Sequence, residues 1–396
     1  MKTIKGSVLA VNCGSSSIKF ALYENEAQLT LSLSGEVENI GTANAQLNFN
    51  NLATKEKKSI SVEAPSHDEA ASYLVDWLEA QGALVSVKAI GHRIVHGMKH
   101  TEPEFITPEL IEELRSISAF DPEHLPEEIR LIELFSKRHS TLQQIACFDT
   151  SFHTSMPAVA KMLTIPRRYY NSGIQRYGFH GLSYNYLLEE LKREAGSKTA
   201  GGRIIFAHLG NGSSLAAVHD GKCMDTSMGF TPTSGLMMGS RTGDLDPGVA
   251  SYLLSTVQIS VKQFNHLVNY ESGLLGISET SADMRELLKI ESTDPYAAEA
   301  IELFCYQVKK WIGSFAATLG GLDTLVFSGG IGENASVVRS CICYGMKFLG
   351  IELDETKNAN NESIISIDTS PVYVRVIKTN EELMIARMTV KYILKV

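Results

Sequence analysis

The chain lacks most features that would place it in a specialised class of protein. Its six cysteines, Cys13, Cys147, Cys223, Cys305, Cys341 and Cys343, are scattered through 396 residues. Only Cys341 and Cys343 stand close, and not at the spacing of paired zinc ligands, so reduced structural thiols are expected rather than a stapled or metal-bound scaffold. No stretch approaches the roughly 20 apolar residues of a membrane span. The apolar run that follows Lys2 and Lys5 is too short for a signal peptide and is broken by Asn12. These absences point to a soluble, cytoplasmic protein with no membrane partner. Cations are not in excess either: the net charge is −9, which argues against a nucleic-acid partner, because displacing phosphate counterions takes surplus Lys and Arg. A small anionic substrate would need a local basic pocket. Two catalytic signatures are missing as well. There is no G-x-x-x-x-G-K-[ST], so an ATP site must be built without a Walker loop. There is no G-x-S-x-G elbow, so Asp149, Ser151 and His153 in FDTSFH do not read as a hydrolase triad.

What the chain does have is a repeated device. VLAVNCGSSSIKFALY, from Val8 to Tyr23, and RIIFAHLGNGSSLAAVHDG, from Arg203 to Gly221, each read as apolar strand, Gly/Ser/Asn turn, apolar strand. Such a turn exposes backbone N–H groups and hydroxyls with no bulky side chain to hold an anion off, and so suits phosphate oxygens. The 44% apolar content and the length support two α/β domains. After a strand-rich opening, helices are expected at about 68–82, 107–118 and 126–136, with strands in VKAIGHRIVHG and QQIACF. The pattern restarts near Arg203. It continues with a helix capped by Asp246, a long helix from about Pro295 to Leu319, the strand of DTLVFSGGIGENA, and a last helix whose Thr379 and Glu382 have capping-box spacing. No Pro/Ser-rich linker separates the halves, so duplication with structured crossings is the economical reading.

Several polar residues are candidates for chemistry. Arg93, beside a Gly turn in GHRIVHGMKH, is a natural fork for a carboxylate or phosphate, and Arg241 in GSRTGDLDPG stands among small residues that leave an anion unobstructed. His92, His96 and His100 would align as metal ligands only on a helix, whereas the flanking residues favour a strand and turn. His180 lies between glycines in YGFHG. GGIGENA carries the minimal G-x-G-x-x-A dinucleotide fingerprint, with Glu352 and Asp354 about 20 positions on, which keeps an NAD-dependent dehydrogenase in view as a rival.

Taken in order, NCGSSSIKF, GHRIVHG, FDTSFH, YGFHG, HLGNGSS, GSRTGDLDP, SGGIGENA and TNEEL resemble the acetate kinase family, over nearly the whole chain. The resemblance implies an α/β fold of two duplicated actin-like (RNase H-like) lobes with a nucleotide cleft between them. The lobes would be 1–150, joined by the C-terminal helix 379–396, and 151–378. It implies reversible phosphoryl transfer from ATP to acetate, with propionate or another short-chain acid as the near alternative, Mg²⁺ (or Mn²⁺) and a homodimer. A module that binds nucleotide without turnover would be expected to lose the charged residues, yet Arg93, Asp149, His180 and Arg241 are all present.

By position, Asp149, His180 and Arg241 would be catalytic, and Arg93, Val95, His124, Phe179 and Pro232 would bind the substrate. Lys19, the turn of His208, Leu209, Gly210, Asn211 and Gly212, the trio Asp283, Met284 and Arg285, and Gly330, Ile331, Gly332, Glu333 and Asn334 would hold the nucleotide. Asn12 and Glu381 would serve the metal. The chain departs from the family pattern at Glu123, where an apolar residue before the histidine is usual, at Met98, where a second glycine is usual, and in LSY after YGFHG, where TSH is usual. A carboxylate at Glu123 facing the acyl pocket would repel an acetate anion; the alternative is that its loop turns it outward.

Overall fold

The computed structural model describes residues 6–14, 16–25 and 28–395. Ser15, in the first Gly/Ser turn, and residues 1–5 of the lysine-flanked N-terminal run lie outside them. The chain divides into two compact units, Met1–Ser151 with Asn380–Val396, and Phe152–Thr379.

In the first unit, β1 (Gly6–Cys13) and β2 (Ile18–Asn25) form the hairpin that the sequence suggests, with Cys13 opposite Ile18. The meander continues antiparallel through β3 (Leu29–Glu38), β4 (Gln46–Asn51) and β5 (Glu56–Ser61). On the other side of β1 come β6 (Val87–Ile94), β7 (Glu104–Phe105) and β8 (Gln143–Phe148); β6 runs parallel to β1, β8 parallel to β6, and β7 closes the edge antiparallel. All of β1 after Gly6 is buried, which explains its unbroken apolar run: a strand covered on both faces has no polar side to alternate with. One face packs under the helices His67–Ala80 and Leu125–Arg138, where Leu74, Leu78, Leu131 and Phe135 meet Leu9, Val11 and Ile90. The C-terminal helix Glu381–Lys395 approaches β6 closely at Gly91, where an added Cβ would lie 2.2 Å from Thr389 Oγ1.

The second unit holds a five-stranded sheet of β9 (Ile204–Leu209), β10 (Ser213–His219), β11 (Lys222–Thr226), β12 (Thr324–Ser328) and β13 (Tyr373–Val376), ordered β11-β10-β9-β12-β13. Three antiparallel strands followed by two parallel ones is the order β3-β2-β1-β6-β8 of the larger sheet over again. The repeat seen in the two hairpins thus extends to a whole sheet. Phe304, Val308, Ile312 and Phe315 of the helix Pro295–Thr318 cover one face. Tyr184, Leu187 and Leu191 of the helix Gly181–Ala200 pack against Phe206, Val218 and Val326 on the other.

Helix boundaries follow the sequence signals closely. Ser66, Thr107, Asp246 and Asp294 cap helices through their side chains. The expected Thr379 cap is corrected. The last helix begins at Glu381, so the residue before it, Asn380, occupies the cap position, and its Oδ1 accepts from Leu383 N at 2.9 Å. Asp354 likewise caps the helix Glu355–Ala359 and Glu352 pairs with Lys347, so neither is disposed as the ribose acid of a dinucleotide fold.

Candidate active site

In the first unit the candidate residues gather at the ends of β1, β6 and β8. Arg93 is one residue from the end of β6 and Asp149 follows β8, and their side chains form an ion pair with Nη2 3.0 Å from Oδ2. Arg93 Nη1 donates to Cys13 O at 3.4 Å, while its Nε is buried and has no partner among the described residues. Burial works against the guanidinium charge, but Asp149, Glu128 and Glu381 outweigh it, so Arg93 stays above its ordinary range. Asn12, near the end of β1, donates from Nδ2 to Glu381 Oε2 at 3.0 Å and to Glu382 Oε1 at 3.3 Å. Burial, reinforced by Asp149, pushes the Glu381 carboxyl up to about 7. Lys19 on β2 holds its proton more tightly than usual: desolvation opposes this, but Glu36, Glu382 and Glu381 overcome it. Val95 is buried just beyond β6, and His124, also buried, hydrogen-bonds Asp121 Oδ1 through Nδ1 at 2.8 Å. Glu123 is half-buried in the turn before the helix Leu125–Arg138.

Among the described residues, no group of three or more His, Cys, Asp or Glu could hold a metal ion, and His92, His96 and His100 form no such set. Asn12 and Glu381 still suit a hard cation of the Mg²⁺ type, which takes one or two protein oxygens and completes its shell with water and substrate phosphate. A carboxyl whose neighbours drive it towards protonation is one that a cation would relieve.

The second unit places its candidate residues on turns. His180 sits in the left-handed region at φ 59 as the residue before the helix Gly181–Ala200, an uncommon conformation for a residue with a Cβ. Its Nδ1 bonds Ser214 Oγ at 2.8 Å, and its ring stacks on His208 at 4.4 Å. The opposite nitrogen faces the β9–β10 turn: a Cβ added to Gly212 would lie 3.2 Å from His180 Nε2. Arg241 Nη1 donates to Pro232 O at 3.4 Å, and Phe179 is buried with its carbonyl hydrogen-bonded to His153 Nε2.

A cavity of about 870 Å³ is lined by Gly210 and Asn211, by Asp283, Met284 and Arg285, and by Gly330, Ile331 and Asn334. Three stretches far apart in the chain meet there. The GIGEN segment is not a loop but the short helix Gly329–Asn334. Gly332 and Glu333 do not line the cavity: Glu333 Oε1 accepts from Gly329 N and Thr379 N, and Gly332 O accepts from the buried Arg339. These bonds supply the stability that a glycine-rich helix lacks.

Sequence reasoning missed Gly239, Ser214 and Glu128. Gly239 donates its N–H to Asn211 O, and a Cβ there would lie 2.0 Å from Asn211 Oδ1. The run of small residues around Arg241 was the available signal for it. Glu128 carried none, because a glutamate in a charged helix reads as surface.

Two sheets of one repeated order, with a glycine turn facing a histidine and a cavity collected from three distant segments, define the class of duplicated α/β, actin-like phosphotransferases. The chain belongs to the acetokinase family, whose sequence profile matches residues 7–387. It is 44% identical over 386 residues to an acetate kinase of Rhodopseudomonas palustris, 96% of each chain being covered. The structure of a propionate kinase from Francisella tularensis superimposes with a TM-score of 0.90 at 38% identity, covering 97% of this chain and 98% of that one. The Porphyromonas gingivalis acetate kinase does so with 0.87 at 35% identity, covering 98% and 100%.

Proposed function

We propose that the protein catalyses reversible transfer of the terminal phosphoryl group of ATP to acetate, giving acetyl phosphate and ADP. The observation that carries this reading is the cavity in which Gly210, Asn211, Asp283, Arg285 and Gly330 converge, since these residues come from the three segments suited to phosphate and nucleoside. Phosphoryl transfer asks a protein for positioning and charge neutralisation more than for covalent chemistry. Arg93 holds the acid's carboxylate, with Asp149 fixing the guanidinium; Val95, His124, Phe179 and Pro232 are assigned to its methyl group. His180 donates through Nε2, and Arg241 through its guanidinium, to phosphoryl oxygens whose charge is redistributed in the transition state. The N–H groups of the turn His208–Gly212 and the side chain of Lys19 meet the remaining phosphates. The acid's own oxygen is the nucleophile, so the enzyme needs none. Asn12 and Glu381 would hold Mg²⁺, which would supply charge neutralisation to the phosphates.

Homodimerisation is part of the reading. It is supported by Leu245, Val249, Tyr252, Val257, Val261 and Ile277, apolar side chains left exposed within one stretch. A cytoplasmic location fits the six free cysteines and the absence, among the described residues, of a helix long and apolar enough to cross a membrane.

A hydroxamate assay for acyl phosphate, with and without ATP and Mg²⁺, tests the activity; no acyl phosphate from any short acid would overturn it. The fully packed Val95 favours acetate over propionate by a modest factor, because one methylene changes discrimination by only about 1–3 kcal/mol. Val95→Ala should narrow the ratio of kcat/KM values for the two acids. A wild-type ratio in favour of propionate would transfer the assignment to the longer acid.

A further inference from the structure

Glu128 is a carboxyl that the mechanism above does not use. It lies in the helix Leu125–Arg138 and is 2% exposed. Both of its oxygens receive the backbone N–H of Val95, at 3.2 and 3.0 Å, and Oε1 lies 4.0 Å from Arg93 Nη1. One side chain thus ties down the two residues flanking Ile94 that the proposed acid site depends on, the cation and the apolar wall. We propose that Glu128 is a positioning residue that sets affinity for the carboxylic acid through Arg93 and Val95 without touching the substrate. The inference rests on the kinase reading of those two residues.

A bare hydrogen-bond anchor could be any acceptor, but the charge of this one matters. The groups facing it are Arg93 on β6, Asp149 after β8, Asp121 in the loop before its own helix and the Cys13 thiol on β1. Burial pushes the Glu128 carboxyl up to about 8, with Arg93 and the Val95 N–H pulling it back. Near neutrality the carboxyl is protonated, and Asp149 alone of these two carboxyls opposes the Arg93 charge. Ionisation at higher pH places a second negative charge beside the guanidinium and weakens its hold on an anionic substrate.

The test compares wild type, Glu128→Gln and Glu128→Ala by steady-state kinetics from pH 6.5 to 9 and by calorimetric titration with acetate. In wild type the acetate KM should rise about tenfold over that range with kcat changing less, the scale of adding one unit charge about 12 Å from another at an effective dielectric of about 20. Glu128→Gln keeps an acceptor for the Val95 N–H but cannot ionise, so its KM should stay low and flat. Glu128→Ala should raise the KM about tenfold at pH 7, because a buried N–H is left unpaired. A Glu128→Gln enzyme whose KM still rises like wild type, or a Glu128→Ala enzyme with unchanged KM, overturns the proposal. Should Glu128→Ala fail to fold, the Gln variant decides alone. If the wild-type enzyme makes no acyl phosphate, the kinase reading falls, while calorimetric acetate binding by the same proteins still tests Glu128.

Discussion

The two units build their candidate functional residues from different materials. In the first, Arg93, Asp149, Glu128 and Glu381 form a buried or half-buried cluster of ionisable groups, in which the three carboxyls act together on the Arg93 guanidinium. In the second, backbone and small side chains do the work: His180 is aimed at a glycine turn, and the cavity is rimmed by Gly210 and Gly330. A charge network is strong only while complete, because a removed partner leaves a desolvated charge behind. A backbone cradle is insensitive to charge and sensitive to added volume. Substitutions in the first unit should therefore disturb folding and chemistry together, and those in the second should separate them.

The largest effect expected is kinetic. Arg241→Ala should lower kcat by about 10³ or more, the scale of a guanidinium acting on a transferring phosphoryl group, with the urea midpoint close to wild type. A variant with near-normal kcat and only a raised KM would remove Arg241 from the transition state. Arg93→Ala supplies the contrast. With its buried partner Asp149 left uncompensated, it should lose about 3–5 kcal/mol of stability in urea unfolding, as when one partner of a buried pair is deleted. Equal stability losses at Arg93 and Arg241 would break the comparison between the units.

The pH dependence of stability sharpens it further. His92 and His96 in the first unit are buried neutral, and desolvation lowers both to about 4. A base whose folded-state value is depressed contributes stability above its unfolded value, about 6.5, and loses it as pH falls towards 4. Between pH 7 and 5 the loss should be about 2 kcal/mol per histidine. His92→Phe, beside the Phe135 ring at 5.8 Å, should flatten the slope of urea stability against pH; an unchanged slope would show that His92 is not its source. The smallest effect belongs to the second unit. Gly239→Ala should displace Asn211 and raise the ATP KM about fivefold, equivalent to ~1 kcal/mol, with the acetate KM unchanged. A Gly239→Ala enzyme with a normal ATP KM would show that the cradle tolerates volume there.

Much of the fold was legible because its signals are local. Both hairpins announce themselves as apolar runs around Gly/Ser turns, and Asp246 and Asp294 sit where helix caps must sit. β5 escaped notice because EKKSIS is polar and mostly exposed, and its strand state comes from pairing with β4. The GIGEN helix was hidden by its glycines, whose low propensity is overcome by bonds from Glu333 and Arg339. The Thr379 cap missed by one residue because capping spacing cannot locate a helix start to better than a residue or two.

For the site, the polar residues standing beside glycines were readable as candidates: Arg93, His180, Asn211 and Arg241. By itself the sequence determined the repeated strand pattern, the order of its motifs and the identities of the charged and small residues, since backbone hydrogen bonding and side-chain periodicity act over a few residues. Only the tertiary structure decided that Glu128 lies buried against Val95 and Arg93, that Gly239 makes room for Asn211, and that His180 faces the turn at Gly212. Burial, close approach and pKa depend on neighbours brought in from tens or hundreds of residues away, and no local pattern records which those neighbours will be.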